Sequence, residues 1–516
     1  MRKIIYCFVV SICILGVLPV FGAPINVIPY PMKVVQGDGY FMVSPDTKVV
    51  FDENLQPVEG FYSEILEIAL GVPLTKKKGG KNLIVLRVDK RFGLPEEGYK
   101  INITAEKVEI VSSSCKGAFY GIQSLNQLIL KDSKTGSVKL PVVMIEDYPR
   151  FNWRGCMLDV SRTFMDKKLL MRYIDLMASY KLNVLHLHLI DDQGWRIEIK
   201  RYPRLTSVGS KYETEFNEMG GYYTQDEIRE IVQYASLRNI TIVPEFELPG
   251  HECAAIASYP ELSCRGIRPK IHPYFMGDQI HKEIFCAGKP EVYDFIYNVL
   301  DEILELFPSR YIHIGGDEAP KSEWHKCDYC QKVIRENGLE NEEELQSYFV
   351  RKIGKYIQEK GRELIGWDEI IDGGKLGGDE IIMYWRGWKA KEVEKVAQQG
   401  FRIISSPNIY CYFDYNYESI DTKKVYFYEP IPVGTSDEVA QNYIGVQANF
   451  WSHIDRSENR IDQQLFPRLF ALSEIAWSRA QNKDWKRFKK IAKIHSEKQR
   501  ENQVNCYYDK SVYNPD

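Results

Sequence analysis

Two adjacent carboxylates follow an apolar run and a pair of glycines near the middle of the chain. Residues 311–320 are YIHIGGDEAP, so Asp317 and Glu318 come directly after Gly315 and Gly316. The apolar run is typical of the end of a buried strand, and the glycines permit a close backbone approach. Two carboxylates at such a point cost free energy unless they are solvated, paired or used in chemistry. We interpret them as used, either as a pair that shares a proton or as part of a metal site.

Polar and aromatic residues that can do chemistry recur after the other apolar runs of the second part of the chain. They are Asp159 with Arg162, His188 with Asp191 and Asp192, Glu245 with Glu247 and His251, Trp367 with Asp368, Trp385 with Arg386, Tyr412 with Asp414, and Trp451. One such group would carry little information. The repetition predicts that the ends of several strands supply a single site.

The elements that position these residues alternate between short apolar runs and longer amphipathic segments. Asp166 is placed to cap one helix, Thr224 begins a capping box, and Pro290 starts a third helix. Eight predicted strands separated by such segments indicate an α/β fold, a parallel (β/α)8 TIM barrel, whose active site lies at the carboxyl ends of the strands. The strands are predicted at 154–160, 183–190, 241–247, 311–314, 363–367, 381–385, 401–405 and 443–448.

The chain is predicted to have four parts. Residues 1–23 have a positive start, an apolar run too short to span a membrane and small residues at the end, as in a secretory signal peptide. Residues 24–148 form a small α+β domain, with strands at 82–89, 99–104 and 108–111 and a helix at 117–130. Residues 149–482 form the barrel, and 483–516 a helical tail. We expect an exported protein, periplasmic or extracellular, with a lipoprotein anchor at Cys13 as the weaker alternative.

Composition excludes several classes of partner. The net charge of −4 on 516 residues gives no indication of nucleic acid or an anionic membrane as a partner. Apart from the N-terminal run, no apolar stretch reaches the ~18 residues of a membrane span. Neither the composition nor the motifs require a cofactor. The oligomeric state is not determined by the sequence.

Nine of the eleven cysteines remain after the predicted signal peptide is removed. Cys327 and Cys330 form a C-x-x-C pair, but a zinc site needs a second pair at suitable spacing. We therefore expect no metal, and predict a local disulfide between Cys327 and Cys330 because the chain is exported. One further bridge is possible among Cys253, Cys264 and Cys286.

Two other functions compete with acid/base chemistry by the carboxylate pair. His186 and His188 point to the same face of one strand, and with nearby carboxylates they would suit a metal-dependent amidohydrolase. That class carries its His-x-His on the first barrel strand, whereas this one is on the second. A sugar-binding protein without turnover is the other alternative, although a binder gains little from a general acid.

The motif from His313 to Glu318 resembles the H-x-G-G-D-E motif of family 20 glycoside hydrolases, the β-N-acetylhexosaminidases. Four other stretches match that family in the same order, at residues 154–162, 186–195, 243–251 and 445–451. The resemblance covers roughly residues 24 to 480, including the small N-terminal domain of the family. Its partner would be a glycan with a terminal N-acetylhexosamine.

The resemblance implies retaining hydrolysis in which the substrate's 2-acetamido oxygen acts as the nucleophile and forms an oxazolinium ion. Glu318 would be the general acid and then the general base. Asp317 would orient the acetamido group and stabilise the charge on its nitrogen. No nucleophile from the protein is then needed, which explains two adjacent acids with different tasks.

The resemblance also implies substrate-binding and supporting residues. Arg162 would bind ring hydroxyls, Tyr412 the acetamide carbonyl, and Asp414 would assist nearby. Trp367, Trp385 and Trp451 would wall the sugar and its acetamido group, although each could equally be core. The supporting residues would be Asp191, His251 and His188.

One departure from the family pattern concerns specificity. The family has a glutamate two residues after the last tryptophan, where it accepts hydrogen bonds from the sugar's 4- and 6-hydroxyls. Here that position is His453, and Arg456 follows nearby. Losing the carboxylate removes repulsion toward an anion at carbon 6, so we expect 6-sulfated N-acetylglucosamine to be tolerated or preferred.

Overall fold

Eight parallel strands close into a barrel in the second part of the chain. In the computed structural model, which describes residues 25–76, 81–132, 134–212, 220–273, 283–452 and 457–515, the closed order is β10-β13-β14-β15-β16-β17-β18-β9. All eight strands predicted from the sequence are confirmed. The barrel strands are β9 Trp153–Asp159, β10 Val184–His188, β13 Thr241–Glu245, β14 Tyr311–His313, β15 Glu363–Trp367, β16 Ile381–Tyr384, β17 Arg402–Ser405 and β18 Tyr443–Phe450.

The barrel strands are apolar on both faces because one face fills the barrel and the other packs on helices. Every residue of β9 and of β10 is buried, as expected for parallel strands covered on both sides. Between β10 and β13, a short hairpin of β11 Ile190–Asp191 and β12 Gly194–Trp195 extends the second strand. The barrel interior is filled by a cluster of eight buried side chains: Trp153, Val184, Val243, Ile365, Trp367, Ile381, Met383 and Ile404.

The helices of this region begin where their caps predict. The Asp166 side chain accepts a hydrogen bond from the Leu169 N–H, and Thr224 with Glu227 forms a complete capping box. The helices are α3 Lys167–Ser179, α4 Arg204–Ser207, α5 Gln225–Leu237, α6 Cys253–Ser258, α7 Pro290–Leu306, α8 Ser322–Lys326, α9 Asp328–Glu336, α10 Glu342–Glu359, α11 Ala390–Gln398, α12 Asn408–Cys411, α13 Thr422–Phe427, α14 Asp437–Ala440, α15 Glu458–Leu465 and α16 Arg468–Trp477. None of the helices in the described ranges is long and apolar enough to cross a bilayer.

A mixed sheet with two helices precedes the barrel. Its strand order is β1-β8-β5-β6-β4-β2-β3, and β7 pairs with β8. The predicted strands and helix of this domain are confirmed with small shifts in their ends. Its elements are β1 Lys33–Val43, β2 Lys48–Phe51, α1 Glu59–Leu70, β3 Thr75–Lys76, β4 Leu83–Val88, β5 Tyr99–Ile103, β6 Lys107–Ser112, α2 Cys115–Leu128, β7 Leu130–Lys131 and β8 Val138–Asp147.

Buried charges join the small domain to the barrel. The Lys181 ammonium, which follows α3, lies 2.9 Å from a carboxylate oxygen of Asp147 in β8, and both side chains are fully buried. The Trp477 indole N–H donates to the other Asp147 oxygen at 2.9 Å. Arg154 in β9 is also fully buried and pairs with Glu97 at 2.8 Å. The two parts therefore share an interior made of polar as well as apolar groups.

The C-terminal segment packs back onto the beginning of the described chain. It contains α17 Trp485–Glu501 and α18 Lys510–Tyr513. The two ring nitrogens of His495, in α17, lie 3.1 Å from the Tyr180 hydroxyl and 3.0 Å from the carbonyl oxygen of Asn26. The predicted signal peptide, residues 1–23, lies outside the described residues, and the domain boundaries drawn from the sequence stay predictions.

Candidate active site

The turn after β14 places the two acids at the carboxyl end of the barrel. Gly315 and Gly316 have φ of 65° and 100°, which favours glycine. A Cβ on Gly315 would lie 1.9–2.1 Å from the carboxylate atoms of Glu247, so no larger residue fits there. Glu318 itself has φ of 45°, a left-handed conformation that is uncommon outside glycine and costs free energy.

Three side chains hold this turn through its backbone. The Gly316 N–H donates to Glu247 at 3.0 Å, and the Gln346 side-chain amide donates to the Gly316 carbonyl at 2.7 Å. The Glu318 N–H donates to a carboxylate oxygen of Glu369 at 2.9 Å. Because these partners come from three other elements, the left-handed conformation of Glu318 is fixed from several sides.

His251 lies between two pairs of carboxylates. Its Nε2 is 3.7 Å from Asp317 and 3.6 Å from Glu318, while its Nδ1 is 3.4 Å from Asp191 and 3.6 Å from Asp192. Burial opposes a charge on His251, but the carboxylates of Asp191, Asp192 and Glu318 together outweigh it and hold the pKa of the imidazole well above its usual value. His251 is therefore a cation next to both acids. Its backbone, like that of Glu318, is left-handed, with φ of 54°.

The two acids have opposite environments. The Asp317 side chain is 13% exposed and that of Glu318 is 55% exposed. Burial raises the pKa of Asp317 to about 6, with His251 opposing the shift and Glu318 adding to it. The adjacent His251 cation lowers the pKa of Glu318 below its usual value. In the unliganded site a single proton therefore resides on Asp317 more than on Glu318.

Arg162 is fixed by carboxylates from two strand ends. It contacts Asp159, the last residue of β9, at 3.1 Å and Asp191 at 2.8 Å, and its side chain is 13% exposed. Its guanidinium also lies over the Trp451 ring, 4.8 Å from the centroid. This cation is held rigidly at the edge of the aromatic part of the site.

A buried network around Glu245 lies beneath the acids. Its carboxylate accepts from the Trp367 indole N–H at 2.9 Å and contacts His186 at 3.1 Å and His313 at 3.0 Å. His188 bridges Glu245 and Asp191, with 2.9 Å between its Nε2 and Asp191. These carboxylates raise the pKa of His188 to about 10 although burial opposes the shift. The network fixes the floor of the site.

The His186 and His188 pair does not suit an amidohydrolase site. His186, Glu245 and His313 bring potential ligand atoms within 4.8 Å of one another, but all three side chains are fully buried and touch Trp367 or each other. A catalytic metal keeps one coordination position open to substrate and water. A group sealed under a tryptophan offers no such position, so the geometry favours a structural network.

Aromatic side chains wall the space beside Asp317. Ring centroids of Trp367 and Trp451 are 5.9 Å apart, those of Tyr412 and Trp451 6.1 Å, and Trp385 stacks with Tyr412 at 6.0 Å. Among the described residues, Oδ1 of Asp317 and the indole N–H of Trp385 are buried without a hydrogen-bond partner. Buried polar atoms are usually paired, so these two are suited to contact a ligand.

The structure brings together eleven of the predicted site residues. They are Arg162, His188, Asp191, His251, Asp317, Glu318, Trp367, Trp385, Tyr412, Asp414 and Trp451. Burial raises the pKa of Asp414 to about 7. His453 and Arg456 lie outside the described residues, and the roles of all these side chains stay predictions.

Three acids of the site were given no role from the sequence. Glu245 and Glu247 alternate along the end of β13, and Glu369 follows Trp367 by two residues. Burial, with the nearby Asp317 charge, raises the pKa of Glu369 to about 8, and the same two causes raise that of Glu247. Their position at the ends of barrel strands could have marked them in the sequence. Their contacts with the turn at 315–318 could be recognised only in the folded structure.

The predicted disulfide between Cys327 and Cys330 is wrong. All nine cysteines of the described residues are free, and both sulfurs instead face Cys286, each at 3.6 Å. Cys264 joins the same group, 3.8 Å from Cys330. The expected bridge among Cys253, Cys264 and Cys286 is not formed either, because the Cys253 thiol points to the carbonyl of Lys270.

Comparison with known families gives two matches along the chain. The family described as "Glycosyl hydrolase family 20, catalytic domain" matches residues 151–480. The family described as "Glycosyl hydrolase family 20, domain 2" matches residues 24–148. Together they cover the barrel with its aromatic site and the sheet domain before it.

Individual proteins from bacteria are similar over most of this chain. A β-hexosaminidase of Porphyromonas gingivalis is 39% identical over 91% of the chain, which spans 63% of that relative's length. A β-hexosaminidase of Vibrio furnissii is 31% identical over 88% of the chain and 76% of the relative. A mutant Streptomyces plicatus β-hexosaminidase solved in complex with its product GlcNAc superposes with a TM-score of 0.84. It is 31% identical, over 96% of this chain and 99% of that one.

Proposed function

The chain belongs to glycosyl hydrolase family 20, and on this premise we propose that it is a β-N-acetylhexosaminidase that releases terminal N-acetylhexosamine from glycans. The observation that carries the proposal is the contrast between its two adjacent acids. Asp317 is largely buried among aromatic rings and has an unpaired oxygen, whereas Glu318 is half exposed at the rim. One acid is thus placed to hold part of the sugar and the other to exchange protons.

In the first step the substrate supplies the nucleophile. The acetamido oxygen attacks the anomeric carbon, the bond to the leaving oxygen breaks, and Glu318 gives its proton to that oxygen. The sugar becomes an oxazolinium ion whose positive charge is shared with the nitrogen. The Asp317 carboxylate accepts a hydrogen bond from that N–H and stabilises the developing charge. The aromatic walls keep water away, which strengthens this interaction.

In the second step Glu318 acts as the base. It takes a proton from a water molecule that attacks the anomeric carbon, and the ring of the oxazolinium ion opens to restore the acetamide. Glu318 is then protonated again, and two displacements on the same carbon give retention of the β-configuration. His251, 3.6–3.7 Å from both acids, stabilises whichever of them is ionised.

Substrate binding must relocate the proton of the acid pair. In the unliganded site burial raises the pKa of Asp317 to about 6, while His251 lowers that of Glu318. A bound acetamido N–H donates to the Asp317 carboxylate and thereby favours its ionised form. The bound sugar also removes water from Glu318, which favours its protonated form. The substrate therefore creates the protonation state that the reaction uses.

The proposal is tested with a matched pair of chromogenic substrates. We expect turnover of an aryl N-acetyl-β-glucosaminide, with the β-anomer as the first product detected by NMR, and inhibition by a thiazoline mimic of the oxazolinium ion. The matched glucosaminide with a free amine lacks the nucleophile and should not be hydrolysed. An α-anomeric product, equal turnover of the amine, or binding without turnover would each contradict the proposal.

We further propose that the enzyme accepts a 6-sulfate on the sugar. The support is the sequence after Trp451, which has His453 where the family pattern has a glutamate, with Arg456 nearby. The test compares kcat/KM for the 6-sulfated and plain aryl N-acetylglucosaminides, with His453→Glu as the variant that restores the carboxylate. A strong preference of the wild-type protein for the plain sugar would refute this specificity.

A further inference from the structure

Four thiols from three distant parts of the chain meet beside the active-site loops. Cys264 and Cys286 lie in the segment after α6, and Cys327 and Cys330 flank the start of α9. The sulfur of Cys286 is 3.6 Å from both Cys327 and Cys330, and Cys264 is 3.8 Å from Cys330. All four sulfurs lie within 4.8 Å of one another. Here these four residues are called the thiol cluster.

We propose that the thiol cluster is a structural Zn²⁺ site. Zinc bound by four thiolates is tetrahedral with Zn–S distances of ~2.3 Å, and the edge of such a tetrahedron is ~3.8 Å. Three of the six sulfur–sulfur distances, 3.6, 3.6 and 3.8 Å, match this edge. A disulfide would place two sulfurs ~2.05 Å apart and leave the other two at unrelated positions.

The backbone around the thiol cluster is shaped for close approach. A Cβ on Gly288 would lie 2.2–2.4 Å from backbone atoms of Tyr329 and Cys330, so only glycine lets the two cysteine-bearing loops touch. The Gly288 N–H also donates to the Cys286 sulfur, as amides do to metal-bound thiolates. Ser263 pairs with Phe285 as an isolated antiparallel β-bridge, so the two segments that carry Cys264 and Cys286 lie against each other.

Charge and burial around the thiol cluster suit zinc. Cys286, Cys327 and Cys330 are buried and Cys264 is partly so. Lys289 donates to the carbonyls of Glu261 and Ser263, which places a cation near four potential thiolates. Four soft ligands with no open position indicate a structural rather than a catalytic ion.

The ion would join the loops that carry His251 and Glu318. Cys264 and Cys286 belong to the chain that follows His251, and Cys327 is nine positions after Glu318. The same two loops are already linked by the Trp324 indole N–H, which donates to the Phe285 carbonyl at 2.8 Å. A bond from each loop to one ion would fix the 3.6 Å contact between His251 and Glu318.

Two disulfides are the competing use of these cysteines, because the chain is expected to be exported. Four cysteines allow three pairings, and here Cys286 and Cys330 each contact two other sulfurs at nearly equal distances. Cys264 with Cys330 and Cys286 with Cys327 is the one complete pairing that these contacts allow, and it leaves the 3.6 Å contact between Cys286 and Cys330 without a role, whereas one ion accounts for all three contacts. Zinc binding involves no oxidant, since up to four thiols each lose a proton as the ion binds.

Metal analysis of the full chain tests the proposal without an activity assay. The protein is purified from cells grown in medium containing Zn²⁺. The amounts of zinc and iron per protein chain are then measured by elemental mass spectrometry. We expect about one zinc per chain. We also expect an organic mercurial to release the zinc as it binds the four thiolates, one equivalent per sulfur. A metal-free chain, one iron per chain, or a denatured mass 4 Da low from two disulfides would each overturn the proposal.

Variants locate the ion. Cys327→Ser with Cys330→Ser should abolish stoichiometric zinc, whereas Cys115→Ser, a half-buried cysteine far along the chain, should retain it. If the double variant does not fold, the absorption spectrum of the wild-type chain with Co²⁺ in place of zinc tests the site. Four thiolate ligands give intense sulfur-to-cobalt charge-transfer absorption. Zinc retained by a folded double variant, or a cobalt spectrum without thiolate bands, would place the ion elsewhere and refute the site.

Discussion

At the scale of single residues, the site depends on two neighbouring acids that are held in different surroundings. Asp317 faces aromatic rings and Glu318 faces the rim, although one peptide bond separates them. Both carboxylates nevertheless approach the same nitrogen, Nε2 of His251, at 3.7 and 3.6 Å, so the two acids differ in exposure and not in their cationic neighbour. The chemistry of the pair follows from where its one proton resides.

The first prediction concerns pH. Between the two pKa values the acid pair holds one proton, and only the minor form with this proton on Glu318 is productive. Because the pKa of Asp317 is about 6, the pair loses the proton as pH rises through about 6, and kcat/KM should fall there. In Asp317→Asn only Glu318, whose pKa is lowered, can hold it, so the alkaline limb should move to lower pH.

The measurement is the pH profile of kcat/KM for both proteins with one aryl substrate. The conservative variant keeps the size of the side chain, and circular dichroism controls for folding. An alkaline limb that stays near pH 6 in Asp317→Asn would show that another group governs it.

The second prediction concerns Glu318→Gln. General acid catalysis contributes on the order of 10²–10⁴ in rate, and more when the leaving group is a poor one. We therefore expect a large loss of kcat on an N-acetylglucosamine disaccharide. With a dinitrophenyl leaving group we expect a much smaller loss in the rate of the first step, measured as a pre-steady-state burst. Equal losses with both substrates would contradict the role of Glu318 as the acid.

At the scale of elements, the turn between β14 and α8 is where backbone and chemistry are joined. Gly315→Ala should abolish activity and destabilise the protein, because the new Cβ meets both a positive φ and the Glu247 carboxylate at 1.9–2.1 Å. Gly361→Ala is the matched control, since Gly361 has a φ of 74° with nothing within 4 Å. The control isolates backbone strain, worth about 1–2 kcal/mol.

Unfolding in urea and turnover of one aryl substrate measure the two effects. If Gly315→Ala costs no more than Gly361→Ala and stays active, the close approach to Glu247 is not important.

The elements were predictable to the extent that local pattern determines them. Buried parallel strands are continuous apolar runs, and caps such as Asp166 and Thr224 act within four residues, so both could be recognised in the sequence. The acid pair was recognised because its motif is contiguous. The thiol cluster was missed because its contacts join residues 41 to 66 positions apart, a distance at which spacing no longer predicts proximity. Glu369 was missed for the same reason, since its partner is the backbone of Glu318.

At the scale of the whole molecule, the sheet domain and the barrel are joined by buried ions. Lys181→Ala should destabilise the protein by about 3–5 kcal/mol, because it leaves the Asp147 carboxylate buried without its cation. Lys100→Ala is the control: the Lys100–Glu146 pair has the same 2.9 Å separation but is 41% and 35% exposed, and should cost less than about 1 kcal/mol.

Calorimetry measures the loss of stability in Lys181→Ala and shows whether both parts of the molecule are affected. Because the ion pair spans the boundary between the two parts, we expect both to melt in one transition, and to shift together in Lys181→Ala. Two separate transitions in the wild-type protein would show that this boundary contributes little to stability.

The contacts that α16, its C-cap and α17 make with the first described residues have a consequence for folding during synthesis. His495 holds the carbonyl of Asn26, the Ser478 hydroxyl donates to the carbonyl of Tyr30, and Glu474 accepts from the Tyr30 N–H. Residues 26–30 therefore take their final place only after partners 444 to 469 positions further along the chain have been synthesised. A stop codon before residue 485 would release a chain that keeps the contacts of Glu474 and Ser478 with Tyr30 but loses that of His495 with Asn26.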